Sequence, residues 1–295
     1  MILIRNIIMK SLVTGGLGFV GTNLVDMLIE LGDEVWVIDN LSSESSSFDY
    51  RNEKAYYTVG DVVDIKKHFK DHNFDRIFHL AAEARIQPSF ERPLSYFKSN
   101  TLGTAAVCEY ARICGCKSLV YATTSSKNHG TPYLTPYTYS KVAGEGILKT
   151  FAECFDLNCG MATFYNVYGP REPKIGEWAT VVAKFGRQFK DGDQLTVVGD
   201  GQQTRDFTHV EDICKGLIMI SQIKSKAENY DLGRGMPISI LDVAKLWTDD
   251  DMNKINFVPL RKNEGQHTLC DVKETFDKLG WKAENNLIDW IKSQK

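Results

Sequence analysis

The chain has 295 residues, 43% hydrophobic and 25% charged, an ordinary globular mix that argues against a disordered or fibrous protein. Lys plus Arg is 35 against 38 for Asp plus Glu, a net charge of −3, so the basic excess of a general nucleic-acid binder is missing. No apolar run approaches the ~18 residues of a membrane span. The start, MILIRNIIMK, is broken by Arg5 and Asn6 and makes a poor signal peptide, and Met9 is a second candidate start. The seven cysteines are odd in number, and Cys114-Gly-Cys116 has no second Cys/His pair at zinc spacing. Buried free thiols in a reducing cytoplasm are therefore expected, with no disulfide framework and no metal.

In chain order, KSLVTGG (10–16) reads as a buried strand, 19–31 as a helix stopped by Gly32, and EVWVID (34–39) as a second strand. Leu41–Ser47 is serine-rich and reads as a surface loop. YYTVGD (56–61), RIFHLAA (76–82), KSLVYATT (117–124) and CGMATFYN (159–166) are further strands, with helices near 63–70, 93–113 and 137–155 between them. Strand and helix in alternation predict an α/β doubly wound parallel sheet, the Rossmann arrangement, with ligands at the carboxyl ends of the strands. After Tyr168-Gly169-Pro170 the segments shorten to 179–190, 194–198, 206–222, 228–232, 239–247 and 285–293. Residues 1–170 are expected to form a dinucleotide-binding domain to which 206–235 returns, and 171–295 a smaller substrate-binding lobe.

Between the first strand and first helix lies Thr14-Gly15-Gly16-Leu17-Gly18-Phe19-Val20-Gly21. Gly15 permits a tight turn, Gly18 lets a pyrophosphate approach the backbone, and Gly21 lets helix and strand pack closely. The helix N-terminus then offers N–H groups to phosphate. Asp39 ends the second strand 18 residues after Gly21, close to the expected spacing of about 20. A carboxylate there accepts ribose hydroxyls and repels a 2′-phosphate, which selects NAD over NADP. Asp61 is placed to accept from the adenine amino group. Phe19, Val20, Asn40, Val62 and Leu80-Ala81-Ala82 complete the expected cofactor contacts, and His79 reads as a core histidine. Tyr137 and Lys141 form a YxxxK at the start of a helix, four apart and so on one face. The ammonium is expected to lower the pKa of the phenol and make it a usable base.

TGGLGFVG, HLAA, PYTYSK, YNVYGPR and GDGQQTRDF together resemble the extended short-chain dehydrogenase/reductase family, in its NAD-dependent nucleotide-sugar epimerase/dehydratase branch, from about Lys10 to Trp281. The resemblance implies that Tyr137 is the catalytic base, that Lys141 tunes it and holds the nicotinamide ribose, and that Thr124 orients the sugar oxygen. It implies that Asn100 supports the cofactor side, Asn166 lies near the sugar-nucleotide phosphates, and Arg205 pairs with the diphosphate. It also implies a homodimer built on helices 93–113 and 137–155. The chain departs from the pattern in three places. Tyr137 follows Thr124 by only 13 positions, Ser125–His129 replaces the usual valine-tyrosine-glycine ending, and the Arg-Pro-Gly-acid segment appears as Arg261–Gln266.

The expected activity is that of a nucleotide-sugar 4-epimerase, with a UDP-sugar favoured as substrate by resemblance. A 4,6-dehydratase begins the same way but needs a further acid/base pair, and Ser125, Ser126 and Lys127 follow Thr124 where that branch carries Asp-Glu. Glu83 is the one carboxylate expected to approach from another loop. A uronate decarboxylase shares the fold. A non-catalytic dinucleotide sensor is disfavoured because Thr124, Tyr137 and Lys141 are all retained.

Overall fold

The computed structural model describes residues 8–43, 46–260 and 267–295. Its centre is a seven-stranded, wholly parallel sheet, in the order β3-β2-β1-β4-β5-β6-β10. The strands are β1 (Lys10–Thr14), β2 (Glu34–Asp39), β3 (Tyr56–Val59), β4 (Arg76–His79), β5 (Ser118–Thr124), β6 (Cys159–Phe164) and β10 (Lys226–Leu232). Neighbouring residues of a strand point to opposite faces, so each buried strand feeds two cores. Leu12 packs with Phe69, Val107 and Leu148 on one face, and Val13 packs with Leu24, Val120 and Leu217 on the other. The sheet order reverses between β1 and β4, which opens the crevice where ligands of such sheets bind.

Helices cover both faces. α1 (Phe19–Glu30) follows the glycine loop, and α6 (Pro136–Phe155) carries Tyr137 and Lys141. The helix expected over 93–113 is divided. α4 (Pro93–Tyr96) and α5 (Gly103–Ile113) flank a π-helical stretch at Phe97–Leu102 that contains Asn100. Single π-turns inside helices often lie at functional sites. The strand expected over 159–166 also breaks, because Asn166–Tyr168 (β7) leaves the central sheet to pair with β9 (Thr204–His209). β9 lies outside the central sheet, so the chain returns there only with α8 (Val210–Ser221) and β10.

A third core, including Phe185, Val197, Val243, Trp247 and Ile291, forms beyond the central sheet. Three elements carried too little apolar periodicity to be expected: β11 (Pro237–Ser239) and β12 (Ile255–Val258), which contribute to that core, and α10 (Val272–Leu279), which packs on β10. All seven cysteines are free thiols, but Cys154 is exposed and Cys114 and Cys116 are half-buried, which corrects the expectation of uniform burial. Among the described residues no helix is long and apolar enough to cross a membrane.

Candidate active site

The glycine loop is fixed by sterics. Gly15 has φ +71°, and a Cβ on it would lie 2.7 Å from the Ala81 nitrogen; a Cβ on Gly21 would lie 2.2 Å from the Gly15 oxygen. Gly18, by contrast, meets nothing closer than 3.4 Å. It is also the N-cap of α1 and offers no side chain to the first-turn N–H groups. These groups carry the positive end of the helix dipole and stand ready for an anion. The cradle fits a dinucleotide pyrophosphate.

Around it runs a crevice of about 580 Å³ at the carboxyl ends of the strands. It brings together Gly15, Gly18, Phe19, Val20, Gly21, Asp39, Asn40, Val62, Leu80, Ala81, Ala82, Thr124, Tyr137, Lys141, Asn166 and Arg205. These segments lie up to 190 positions apart in the chain (15 to 205). Asp61 and Asn100 stand behind the wall instead. Asp61 accepts from the Val63 N–H (3.0 Å) and pairs with Lys98 (3.1 Å). Asn100 is fully buried and links the Glu83 backbone to the Ser140 hydroxyl on α6. Arg261 lies outside the described residues. Ser42, Ser43 and Ser46 join the crevice wall beside Asp39, a position their low-complexity composition did not signal.

Asp39 is buried and accepts from the Leu17 N–H (3.0 Å) and the Leu41 N–H (2.9 Å). It therefore caps two turns while also facing the crevice. Burial raises its pKa above the ordinary carboxylate value, and those N–H donors oppose the rise. His79 is the core histidine expected, held between Thr14 Oγ1 (2.8 Å) and Thr104 Oγ1 (3.0 Å). Burial, with the Lys141 charge adding to it, drives its pKa down to about 3, so the imidazole is neutral.

Thr135 caps α6 through the Thr138 N–H (3.0 Å), and Pro136 starts the helix, which fixes Tyr137 in its first turn. The Tyr137 phenol hydrogen-bonds the Thr124 side chain at the end of β5, so the short connection still aligns that pair. Two 3₁₀ turns, Ser125–Asn128 and Pro132–Leu134, take up the shortened connection. The expectation that Lys141 lowers the Tyr137 pKa needs correction. Burial raises that pKa above the ordinary phenol value, while the Thr124 hydrogen bond and the Arg85 charge oppose it. Lys141 is itself 3% exposed, with Nζ 4.3 Å over the Tyr121 ring. Burial pushes its pKa down to about 7, partly offset by Glu145 one turn further along. Burial thus works against the positive charge that was expected to act on Tyr137, and Thr124 and Arg85 are the groups that oppose the rise there.

Arg205 and Asp206 are adjacent on β9 and point opposite ways. Arg205 faces the crevice and donates Nη1 to the Thr204 carbonyl (2.9 Å). Asp206 is fully buried and accepts from the N–H groups of Arg234, Gly235 and Cys270 at 2.8–3.0 Å. Asn166 donates to the Asp206 carbonyl at 3.3 Å. Glu83, expected as an approaching carboxylate, accepts from the Ser95 hydroxyl and does not line the crevice.

Sequence reasoning missed Arg85. It follows β4, lines the crevice, and has φ +105°, a conformation L side chains rarely adopt. Such strain costs about 1–3 kcal/mol and persists where surrounding structure enforces it. Nothing in its local sequence signals the role, because its side chain is held by the Trp178 carbonyl, 93 positions along the chain.

A model of the NAD dependent epimerase/dehydratase family matches residues 11–233. The chain belongs to that family. The UDP-glucose 4-epimerase of Mycolicibacterium smegmatis is 30% identical over 96% of both chains. The UDP-N-acetyl-alpha-D-glucosaminuronate decarboxylase of Bacillus cytotoxicus is 30% identical over 80% of this chain and 78% of its own. Among solved structures, the UDP-glucose 4-epimerase of Thermotoga maritima with UDP-glucose superposes with a TM-score of 0.90 at 29% identity, over 96% of both chains. The family cofactor, NAD, is the cofactor of this chain. The family handles nucleotide sugars by epimerase, dehydratase or decarboxylase chemistry.

Proposed function

We propose that this chain is an NAD-dependent nucleotide-sugar 4-epimerase acting on a UDP-sugar. The observation that carries the reading is the meeting of Thr124, Tyr137 and Lys141 in a crevice where no carboxylate stands beside Thr124. The acids lining the crevice among the described residues are Asp39, beside the glycine loop, and Glu177, which is paired with Arg92. A dehydratase needs a further acid and base beside C5 and C6, and these carboxylates do not supply one. Bound NAD supplies the acceptor and donor of hydride at C4. Tyr137 takes the O4 proton and returns it, Thr124 orients that oxygen, and Lys141 holds the nicotinamide ribose. Incubation with UDP-glucose, UDP-galactose and their uronates, with products resolved by chromatography, is expected to give 4-epimers. Release of a 4-keto-6-deoxy sugar would overturn the reading in favour of dehydration.

The dinucleotide belongs in this reading to residues 1–170 with the returning 206–235, and the sugar nucleotide to the lobe of 171–295. Asp39 faces the ribose. Asp39→Asn is expected to narrow the preference for NAD over NADP, measured by calorimetry; equal binding of both by the unaltered protein would remove Asp39 from that role. Arg205, a planar fork suited to phosphate oxygens, takes the diphosphate. Arg205→Ala is expected to weaken sugar-nucleotide binding without changing NAD affinity, and a lowered unfolding midpoint with unchanged substrate affinity would make the residue structural. Leu94, Leu102, Tyr139 and Phe155 are exposed on the helices proposed to pair in a homodimer.

A further inference from the structure

The Arg85 guanidinium is held and aimed. Its Nε and Nη2 both donate to the Trp178 carbonyl, at 3.2 and 2.6 Å, so the side chain spans from the segment after β4 to the opposite wall of the crevice. Nη1 has no hydrogen bond to any described residue, and no described carboxylate lies within ion-pair distance of the group. Glu172 is felt only at longer range and is occupied by the Thr180 hydroxyl at 2.6 Å. The guanidinium is half-buried at the crevice wall, and two of its nitrogens are fixed on Trp178, so the remaining Nη1 is pre-oriented for an anionic ligand. The strained backbone at Arg85 is a second sign that the fold maintains this placement against a local cost.

The location narrows the ligand. Arg85 lies close enough to Tyr137 for each to perturb the other's ionisation. In a hexopyranose, C1 and C4 lie across the ring. When O4 faces Tyr137, the diphosphate on C1 therefore points away from Arg85, towards Arg205. The substituent on C5 is instead adjacent to C4 and lies on the same edge of the ring as O4.

We propose that the sugar taken by this crevice is a uronate, and that Arg85 receives its C6 carboxylate through Nη1. The inference rests on the 4-epimerase reading for the orientation of the sugar, and it makes Arg85 the specificity-determining residue of the site. A guanidinium fork on Trp178 presents a fixed N–H pair to one carboxylate, while a neutral hydroxymethyl group at C6 leaves the charge unpaired. UDP-glucuronate and UDP-glucose differ only at that carbon.

Calorimetry with both nucleotides on the NAD-loaded protein tests the proposal without requiring turnover. The unaltered protein is expected to bind UDP-glucuronate about ten- to a hundredfold more tightly than UDP-glucose, the worth of a hydrogen bond to a charged group. Arg85→Met is expected to bring the ratio of the two affinities close to one. Arg85→Gly, which the positive φ accommodates, is a second variant should the first fold poorly, and Arg85→Lys should recover part of the preference. Equal binding by the unaltered protein, or a preference for UDP-glucose, would overturn the proposal. So would an equal loss for both sugars in Arg85→Met with the pH–rate profile moved to higher pH, since Arg85 would then serve the Tyr137 phenolate. A retained uronate preference with release of carbon dioxide would leave Arg85 in its role and reject epimerisation, so the two readings fail separately.

Discussion

Tyr137→Phe is expected to lower turnover by about two to four orders of magnitude, the usual worth of a positioned general acid–base group. The ring and its edge contact with Tyr96, 6.2 Å between centroids, remain, so the loss isolates the hydroxyl. Sugar-nucleotide affinity should change far less, because a proton transferred in the transition state contributes little to ground-state binding. The pH–rate profile of the unaltered enzyme carries a second signature. Burial holds the phenol above its ordinary value, so activity should rise with pH as the phenolate forms. Burial also holds the Lys141 ammonium below its ordinary pKa, so the charge that holds the ribose weakens towards the alkaline end of the profile. Steady-state turnover and calorimetry with the same nucleotide check both statements. A Tyr137→Phe enzyme within tenfold of the original would assign the base elsewhere.

Asp206→Ala is expected to destabilise the fold by on the order of 4 kcal/mol, from three hydrogen bonds to a charged acceptor at about 1.5–3 kcal/mol each, not fully additive. The carboxylate is fully buried and gathers the N–H groups of Arg234, Gly235 and Cys270 onto β9, so its removal leaves those donors without an acceptor and frees the loop beyond β10. Arg205→Ala, one residue away and half-buried on the crevice side, should lower the unfolding midpoint less than Asp206→Ala. Side chains alternate across a strand, and these neighbours therefore serve different faces. Urea unfolding of the two variants side by side is the measurement. Equal midpoints would show that Asp206 carries no such load.

The parallel sheet, the glycine turn and the pairing of Tyr137 with Lys141 were legible because each is a local signal. Buried strands read as apolar runs, a positive φ and a close approach demand glycine, and a spacing of four on a helix fixes a shared face. Thr124 was legible with them, since it ends an apolar strand just before the helix of Tyr137. The break at Tyr165 was not legible, because CGMATFYN runs on in sequence while β7 turns aside to meet β9, a partner almost forty residues on (168 to 204). The π-helical stretch around Asn100 escaped for the same reason: the tie from its side chain to Glu83 and Ser140 comes from outside the helix.

The sequence by itself determined the fold class, the cofactor and most of the crevice wall, since backbone dihedral limits and hydrophobic periodicity act within a few residues of one another. Tertiary structure alone decided the electrostatics. Whether Lys141 carries its full charge depends on how completely β4, β5 and α6 exclude water from it. Glu83 is drawn away to Ser95, and Arg85 is pinned to Trp178, by groups 12 and 93 positions along the chain. Desolvation and charge pairing depend on distance through space, and a linear sequence does not contain that distance.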